Sequence, residues 1–207
     1  MTRAPVRWGE PPPGGRLAGW LRATTGRIRR WTGGATPTTT PALGPLPLAL
    51  RHGELATSYL AAAREADHPR AGAAATGAME QAVATAEWWP ADVWGHRALW
   101  HFERAGMELA ATRAARLIGD VRVAGGDPAS ARRYYAEAIS EGRDIGAERE
   151  EGLAALGMGR AELELGDVTT ARRLAQIALD LLKRSGAPAD EVGAAQELRG
   201  EEKEARA

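Results

Sequence analysis

The side chains that could bind a metal or take part in catalysis are few in this sequence. Glu65 and His68 have the Glu-x-x-His spacing of di-iron helical bundles, but the motif occurs once and ends at Pro69. His96 and His101 are five residues apart, about 140° around a helix, which does not favour a shared metal. The absence of Cys excludes disulfides, thiolate zinc sites and a cysteine nucleophile. Because no nucleophile elbow, phosphate loop or zinc-protease motif occurs either, we predict no metal, no cofactor and no enzymatic activity.

Paired carboxylates are the remaining groups with possible acid–base chemistry, at Glu148, Glu150 and Glu151. We interpret them as a solvated helix face. The chain as a whole has 44% apolar and 5% aromatic residues, and its abundant Ala and Leu favour helices over strands. These proportions predict a helical domain with a buried core.

The net charge of zero conceals an uneven distribution of charge along the chain. Residues 1–34 contain seven Arg and one Glu, a net charge of +6, so residues 35–207 carry −6. Pro- and Gly-rich stretches at both ends of residues 1–47 predict a flexible basic arm, followed by a folded domain over 48–207. No apolar run is long enough for a transmembrane helix or a secretory signal, so we expect a cytoplasmic protein.

Residues 16–31 within the arm predict a short amphipathic helix. Its apolar residues fall within about 100° of arc on a helical projection: Leu17, Trp20, Leu21, Thr24, Ile28 and Trp31. Its basic residues lie on the sides and back: Arg16, Arg22, Arg27, Arg29 and Arg30. Such a helix can lie on a membrane surface, peripherally, or dock into a partner's groove or onto its own acidic domain, and a tail with no role is the other alternative. Nucleic acid is not the expected partner, because the aromatic residues lie opposite the Arg residues.

Four tryptophans cluster between residues 88 and 100: Trp88, Trp89, Trp94 and Trp100. They could line a pocket for a peptide or small ligand. The alternative is that they fill the core of a repeat, and we favour it because Trp94, Ala98 and Phe102 have the spacing of a buried helix face.

An internal repeat organises the folded domain, because residues 111–147 match residues 151–187. The two stretches share 11 identities in 37 positions, where about four are expected by chance. Gly126 suits the left-handed position that ends a helix, and Asp127 can cap the next helix. Gly166 and Asp167 repeat the device, so each repeat predicts two antiparallel helices. Gly119 and Gly159 predict close contact between the two helices of each repeat, with Gly119 facing Ala131 and Ala138, and Gly159 facing Ala171 and Ala178.

This pattern resembles the tetratricopeptide repeat (TPR), with a period of roughly 40 residues, as in some bacterial proteins from GC-rich genomes. The residues that carry the resemblance are Ala115-x2-Ile118-Gly119, Gly126-Asp127, Ala131-x3-Tyr135 and Ala138, and their counterparts Ala155-x2-Met158-Gly159, Gly166-Asp167, Ala171-x3-Ala175 and Ala178. The resemblance implies an all-α solenoid of about three helical hairpins. The repeats span about 71–106, 111–146 and 151–186, with a capping helix at 188–206 and a second cap within 48–67.

The resemblance also implies that the first helix of each repeat lines a concave binding face. The exposed positions beside the packing residues are then Thr76, Glu80, Arg113, Arg116, Asp120, Leu156, Arg160 and Glu164. Arg113, Arg116 and Arg160 could hold a carboxylate or an acidic peptide, or belong to a salt-bridged solvated face. The implied function is an adaptor or scaffold that binds a protein or peptide. The alternative is a regulatory sensor that takes a small ligand or signalling peptide and whose arm contacts a membrane or partner.

Overall fold

A computed structural model describes residues 53–200. The predicted arm at 1–47, residues 48–52 and residues 201–207 lie outside the described part. The described residues form eight helices and no strand, which confirms the all-α prediction for this part of the chain. The helices are α1 (Gly53–Arg64), α2 (His68–Ala84), α3 (Trp88–Arg104), α4 (Glu108–Ala124), α5 (Pro128–Asp144), α6 (Glu148–Glu164), α7 (Val168–Arg184) and α8 (Ala189–Gly200).

A left-handed residue ends each helix from α1 to α7. These residues recur at equal intervals along the chain: Ala66, Ala86, Gly106, Gly126, Gly146, Gly166 and Gly186, with φ between 56° and 88°. At each one, the amide of the following residue donates to a carbonyl five residues back, as Asp127 N does to Arg122 O at 2.8 Å. Five of the seven positions are Gly, which adopts positive φ without steric cost.

Aspartate caps begin the helices for which the sequence predicts them. Asp127 and Asp167 accept hydrogen bonds from the amides of Ser130 and Thr170, at 3.1 and 3.0 Å. Asp67 caps α2 in the same way. The predicted Gly-Asp turn is therefore confirmed at both positions. The left-handed residues precede every helix from α2 to α7 at equal intervals, and they explain why these six helices are all of the same length.

Consecutive helices pack against each other throughout residues 53–200. In addition, α4 contacts α6, and α6 contacts α8, so these even-numbered helices lie side by side along one face. This arrangement is typical of a helical repeat fold, in which each hairpin buries its apolar surface against its neighbours. No helix in the described range is both long enough and apolar enough to span a bilayer.

Small residues set the distance between helices in the core. Tyr135 on α5 lies against two glycines: an added Cβ would come within 2.7 Å of its ring at Gly119 and 2.5 Å at Gly157. The nearest neighbour of Gly119 is thus Tyr135, and not Ala131 or Ala138 as the sequence suggested. Gly159 does face Ala171, whose carbonyl oxygen would be 3.2 Å from an added Cβ. The glycines make room for one large aromatic ring between two hairpins.

Gly159→Leu should lower the free energy of unfolding by about 2–4 kcal/mol, because a side chain there meets Leu198 and backbone on α7. The matched control is Gly193→Leu on α8, where an added Cβ meets nothing within 4 Å. That control should change stability by less than about 1 kcal/mol, since it even gains helix propensity. Urea unfolding followed by circular dichroism measures both, and equal effects would contradict the packing described here.

Candidate functional site

The residues predicted to line a concave face lie on alternate helices, α2, α4 and α6. Thr76 and Glu80 on α2, together with Arg113 on α4, line one open groove. Arg116 and Asp120 lie further along α4, and Arg160 on α6 is close enough to Asp120 to act on it electrostatically. Glu164 is exposed at the end of α6.

Leu156 was predicted as an exposed position of this concave face, and that prediction is wrong. Its side chain is only 4% exposed and belongs to a core cluster with Leu182, Ala195 and Leu198. The reason is the terminal helix: α8 packs on α6 and covers the position that the repeat pattern left open.

The groove between α2 and α4 has a volume of about 580 Å³. Its wall is mostly apolar and consists of Ala73, Gly77, Phe102, Ala110, Ala114 and Leu117. Met107 and Leu109 stand at its edge with 41% and 50% of their surface exposed. Two carboxylates, Glu80 and Glu108, complete the lining, and both residues are exposed.

The sequence explains why this groove is open. The groove-lining positions on α2 hold Ala73, Thr76 and Gly77, whereas the equivalent positions on α4 hold Arg113, Arg116 and Leu117. Small side chains on α2 leave the space beside α4 unfilled. Large side chains on α4 fill the corresponding space beside α6.

The space between α4 and α6 contains a buried ion-pair cluster around Glu150. Arg113 Nε donates to Glu150 Oε1 at 2.9 Å, and Arg116 Nε donates to Glu150 Oε2 at 3.1 Å. Burial acts to raise the pKa of Glu150, but the two guanidinium groups outweigh it and hold the pKa below its usual range. Arg113 and Arg116 are therefore engaged within the protein.

Glu150 and Glu151 correct the prediction of a solvated acidic face. Both are buried, and Glu151 accepts a hydrogen bond from Arg143 Nη2 at 2.8 Å. Glu148 pairs with Arg184 at 3.2 Å, nearer the solvent. The carboxylates of this stretch thus bind α6 to its neighbours.

Asp120 is a third acidic group with partners inside the protein, although 42% of its side-chain surface is exposed. It accepts hydrogen bonds from Arg116 Nη1 and from the hydroxyl of Tyr135, both at 2.8 Å. Burial raises the pKa of Asp120, against the opposing effect of Arg116. Burial and the adjacent carboxylate also raise the pKa of Tyr135. This pairing fixes the ring that separates Gly119 and Gly157.

The tryptophan cluster is largely core, as the favoured interpretation predicted. Trp94 and Trp100 are buried, Trp88 is half-buried, and Trp89 has 39% of its surface exposed. Trp94 contacts the ring of Tyr59 edge-on, and the guanidinium of Arg97 lies 4.7 Å from the Trp94 ring centroid. The cluster joins α1 to α3.

The sequence did not suggest the histidine contacts. His68 Nδ1 lies 2.9 Å from His101 Nδ1, and His101 Nε2 lies 3.3 Å from the hydroxyl of Tyr59. The contact could have been inferred from the predicted helical hairpins, because the start of one helix lies beside the end of the next, as His68 on α2 and His101 on α3 do. His96 instead pairs with the hydroxyl of Tyr134 at 2.8 Å. No group of three His, Asp or Glu able to hold a metal occurs within residues 53–200.

Comparisons with protein-family models and with curated proteins give no match for this chain.

Glu150→Leu should lower the free energy of unfolding by about 2–4 kcal/mol, because it removes the buried carboxylate that Arg113 and Arg116 share and leaves Arg116 with Asp120 alone. Glu148→Leu is the matched control two residues away, and loss of its more exposed pair should cost less than about 1 kcal/mol. Urea midpoints of both variants at pH 7 measure the difference. A Glu150→Leu protein as stable as the control would contradict a stabilising role of the ion-pair cluster around Glu150.

Acidification should destabilise the protein through His101. Burial, together with His68 and Arg97, lowers the pKa of His101 to about 4, against about 6.5 in the unfolded chain. The unfolded chain therefore takes up the proton first, so stability is complete above about pH 6.5 and falls towards pH 4. Between pH 7 and pH 4.5 the free energy of unfolding should fall in both proteins. We expect the fall to be smaller in His101→Gln than in wild type, by on the order of 1–2 kcal/mol. Identical losses, measured by urea unfolding at the two pH values, would disprove this role.

Proposed function

We propose that this chain is a TPR-type α-solenoid that acts as a binding scaffold, not as an enzyme. The internal sequence repeat supports the family, as do the paired helices of equal length that begin at equal intervals from His68 to Val168. The groove between α2 and α4 carries the functional part of the proposal. It is the place where the repeat pattern changes from large to small side chains and leaves apolar surface open to solvent.

The ligand that this groove favours is a peptide segment of a partner protein with both apolar and cationic side chains. Leu109, Leu117 and Phe102 offer apolar surface for an anchoring side chain. Glu80 and Glu108 make no ion pair with any described residue, so they are available to a Lys or Arg of the ligand. Arg113 also lines the groove, but its charge is matched by Glu150. An acidic peptide is therefore the less favoured ligand.

A small ligand is the second candidate, in a regulatory sensor. The volume of about 580 Å³ lies within the range of small-molecule sites, roughly 300–1,000 Å³. A peptide is favoured because Glu80 and Glu108 are exposed on the groove, where they can contact successive residues of an extended ligand.

Peptides selected from a displayed library against the full chain test the scaffold proposal. Their dissociation constants are then measured by fluorescence anisotropy with wild type and Ala73→Trp, whose indole should fill the groove. We expect binding at least about tenfold weaker in Ala73→Trp, equivalent to about 1.4 kcal/mol. Ala136→Trp on an exposed position of α5 is the matched control and should bind as wild type does.

Two results would count against a peptide scaffold. One is the absence of enriched peptides, and the other is equal affinity for Ala73→Trp and wild type. A thermal-shift screen of metabolites with the same variants tests the sensor alternative. A compound that stabilises wild type and Ala136→Trp but not Ala73→Trp would favour it.

A further inference from the structure

The electrostatic character of the groove restricts what can occupy it. Its apolar wall faces two exposed carboxylates, Glu80 and Glu108, and neither has a basic partner among the described residues. The basic side chain of the lining, Arg113, is held by Glu150 at 2.8 Å. An occupant should therefore bring apolar side chains for the wall and positive charge for the edge.

The chain itself contains a segment with this composition. Residues 16–31 place two Trp, two Leu and one Ile on one side of a helical projection and five Arg around the rest. The charge of +6 on residues 1–34 opposes the −6 of residues 35–207. The two parts of the chain are thus complementary in both polarity and charge.

The connection between the two parts begins beside the groove. The described chain starts at Gly53 on α1, and Leu55 two residues later lies against Gly77, where an added Cβ would be 3.2 Å from Leu55 Cδ2. Gly77 lines the groove. Residues 32–52 separate the segment from Gly53, and a tether of this length spans at most roughly 70 Å. The tether is therefore long enough to bring the segment to any part of the groove.

We propose that residues 16–31 dock into the groove between α2 and α4 of the same chain, with their apolar face on Phe102, Leu109 and Leu117 and their arginines at Glu80 and Glu108. The proposal rests on the proposed function in one respect, since it treats the groove as a peptide site. A tethered segment acts at an effective concentration of the order of millimolar. A partner peptide must displace it, so its apparent affinity is reduced by the fraction of molecules in which the groove is occupied.

Disulfide trapping in the full chain tests the docking directly, because the protein has no native Cys. One Cys is introduced in the segment, Thr25→Cys, and the other in the groove, Ala73→Cys. The control pair combines Thr25→Cys with Ala136→Cys on α5, which the tether also reaches. We expect intramolecular disulfide to form at least fivefold faster at position 73 than at position 136 in dilute protein under mild oxidation.

Charge and apolar variants then identify the contacts. The double variant Glu80→Lys, Glu108→Lys should reduce the rate at position 73 to the control rate. Asp144→Lys with Glu197→Lys makes the same change in net charge on exposed residues of α5 and α8, and it should leave the rate unchanged. Trp20→Ser with Trp31→Ser should also abolish the difference between the two positions. Equal rates at positions 73 and 136 in the wild-type background would overturn the proposal.

A competition measurement separates this proposal from the peptide-scaffold function. Peptides selected against the groove should bind the Trp20→Ser, Trp31→Ser chain at least tenfold more tightly than wild type. If they bind both equally and trapping is at the control rate, the docking is wrong while the scaffold survives. If trapping at position 73 is fast but no peptide binds either chain, the docking is right and the scaffold proposal fails.

A membrane surface is the competing destination of the segment, and vesicles of phosphatidylcholine and phosphatidylserine test it. The proposal is overturned if the full chain sediments with these vesicles, the Trp20→Ser, Trp31→Ser chain does not, and trapping is at the control rate. The segment then binds lipid. If the wild-type chain stays in solution and trapping at position 73 is fast, the proposal is supported.

Discussion

The left-handed residue that recurs at equal intervals is the constraint from which the rest of the described structure follows. It ends each helix after a fixed length and starts the next helix two residues later, from His68 to Val168. Equal helix lengths keep successive hairpins in register, so a position on one even-numbered helix has a structural counterpart on the next. Two of the seven positions are Ala66 and Ala86, where an L side chain costs about 1 kcal/mol. The turn is thus required strongly enough to be kept without glycine.

Once the register is fixed, the size of the side chains at equivalent positions determines whether the space between two neighbouring even-numbered helices is open or filled. Ala73 and Thr76 on α2 correspond to Arg113 and Arg116 on α4, and these to Leu153 and Leu156 on α6. The first pair leaves a groove, the second builds an ion-pair cluster on Glu150, and Leu156 of the third is buried under α8. In a repeat protein each repeat contacts only its neighbours. The space between one pair of helices can therefore be open without weakening the packing of the others.

Local signals allowed much of the fold to be predicted from sequence, whereas long-range contacts did not. Gly126 and Asp127 identify a helix end and a helix start within two residues, and the structure places both there. Glu150 gave no such signal, because its partners Arg116 and Arg113 lie far earlier in the chain, on a neighbouring hairpin. The burial of Leu156 was missed for the same reason, because Ala195 and Leu198 cover it from the terminal helix. The sequence predicted exposed positions on a concave face and no groove. Whether a groove opens depends on the distance between two helices, which the sequence pattern does not give.

The distribution of ion pairs explains why charge is informative at this groove in particular. Arg122 pairs with Asp92, Arg132 with Glu162, Arg143 with Glu151 and Arg149 with Glu191, each between different helices. From α3 to α8, many arginines that could attract an acidic ligand therefore already hold the hairpins together. Between α2 and α4 the balance is reversed, because the carboxylates of Glu80 and Glu108 have no matching base in the described chain. Water solvates these carboxylates when the groove is empty, so the opening imposes no desolvation cost on folding. The cationic, apolar segment that we propose as the occupant would gain affinity from both features at once, and an acidic segment would meet repulsion at the same edge.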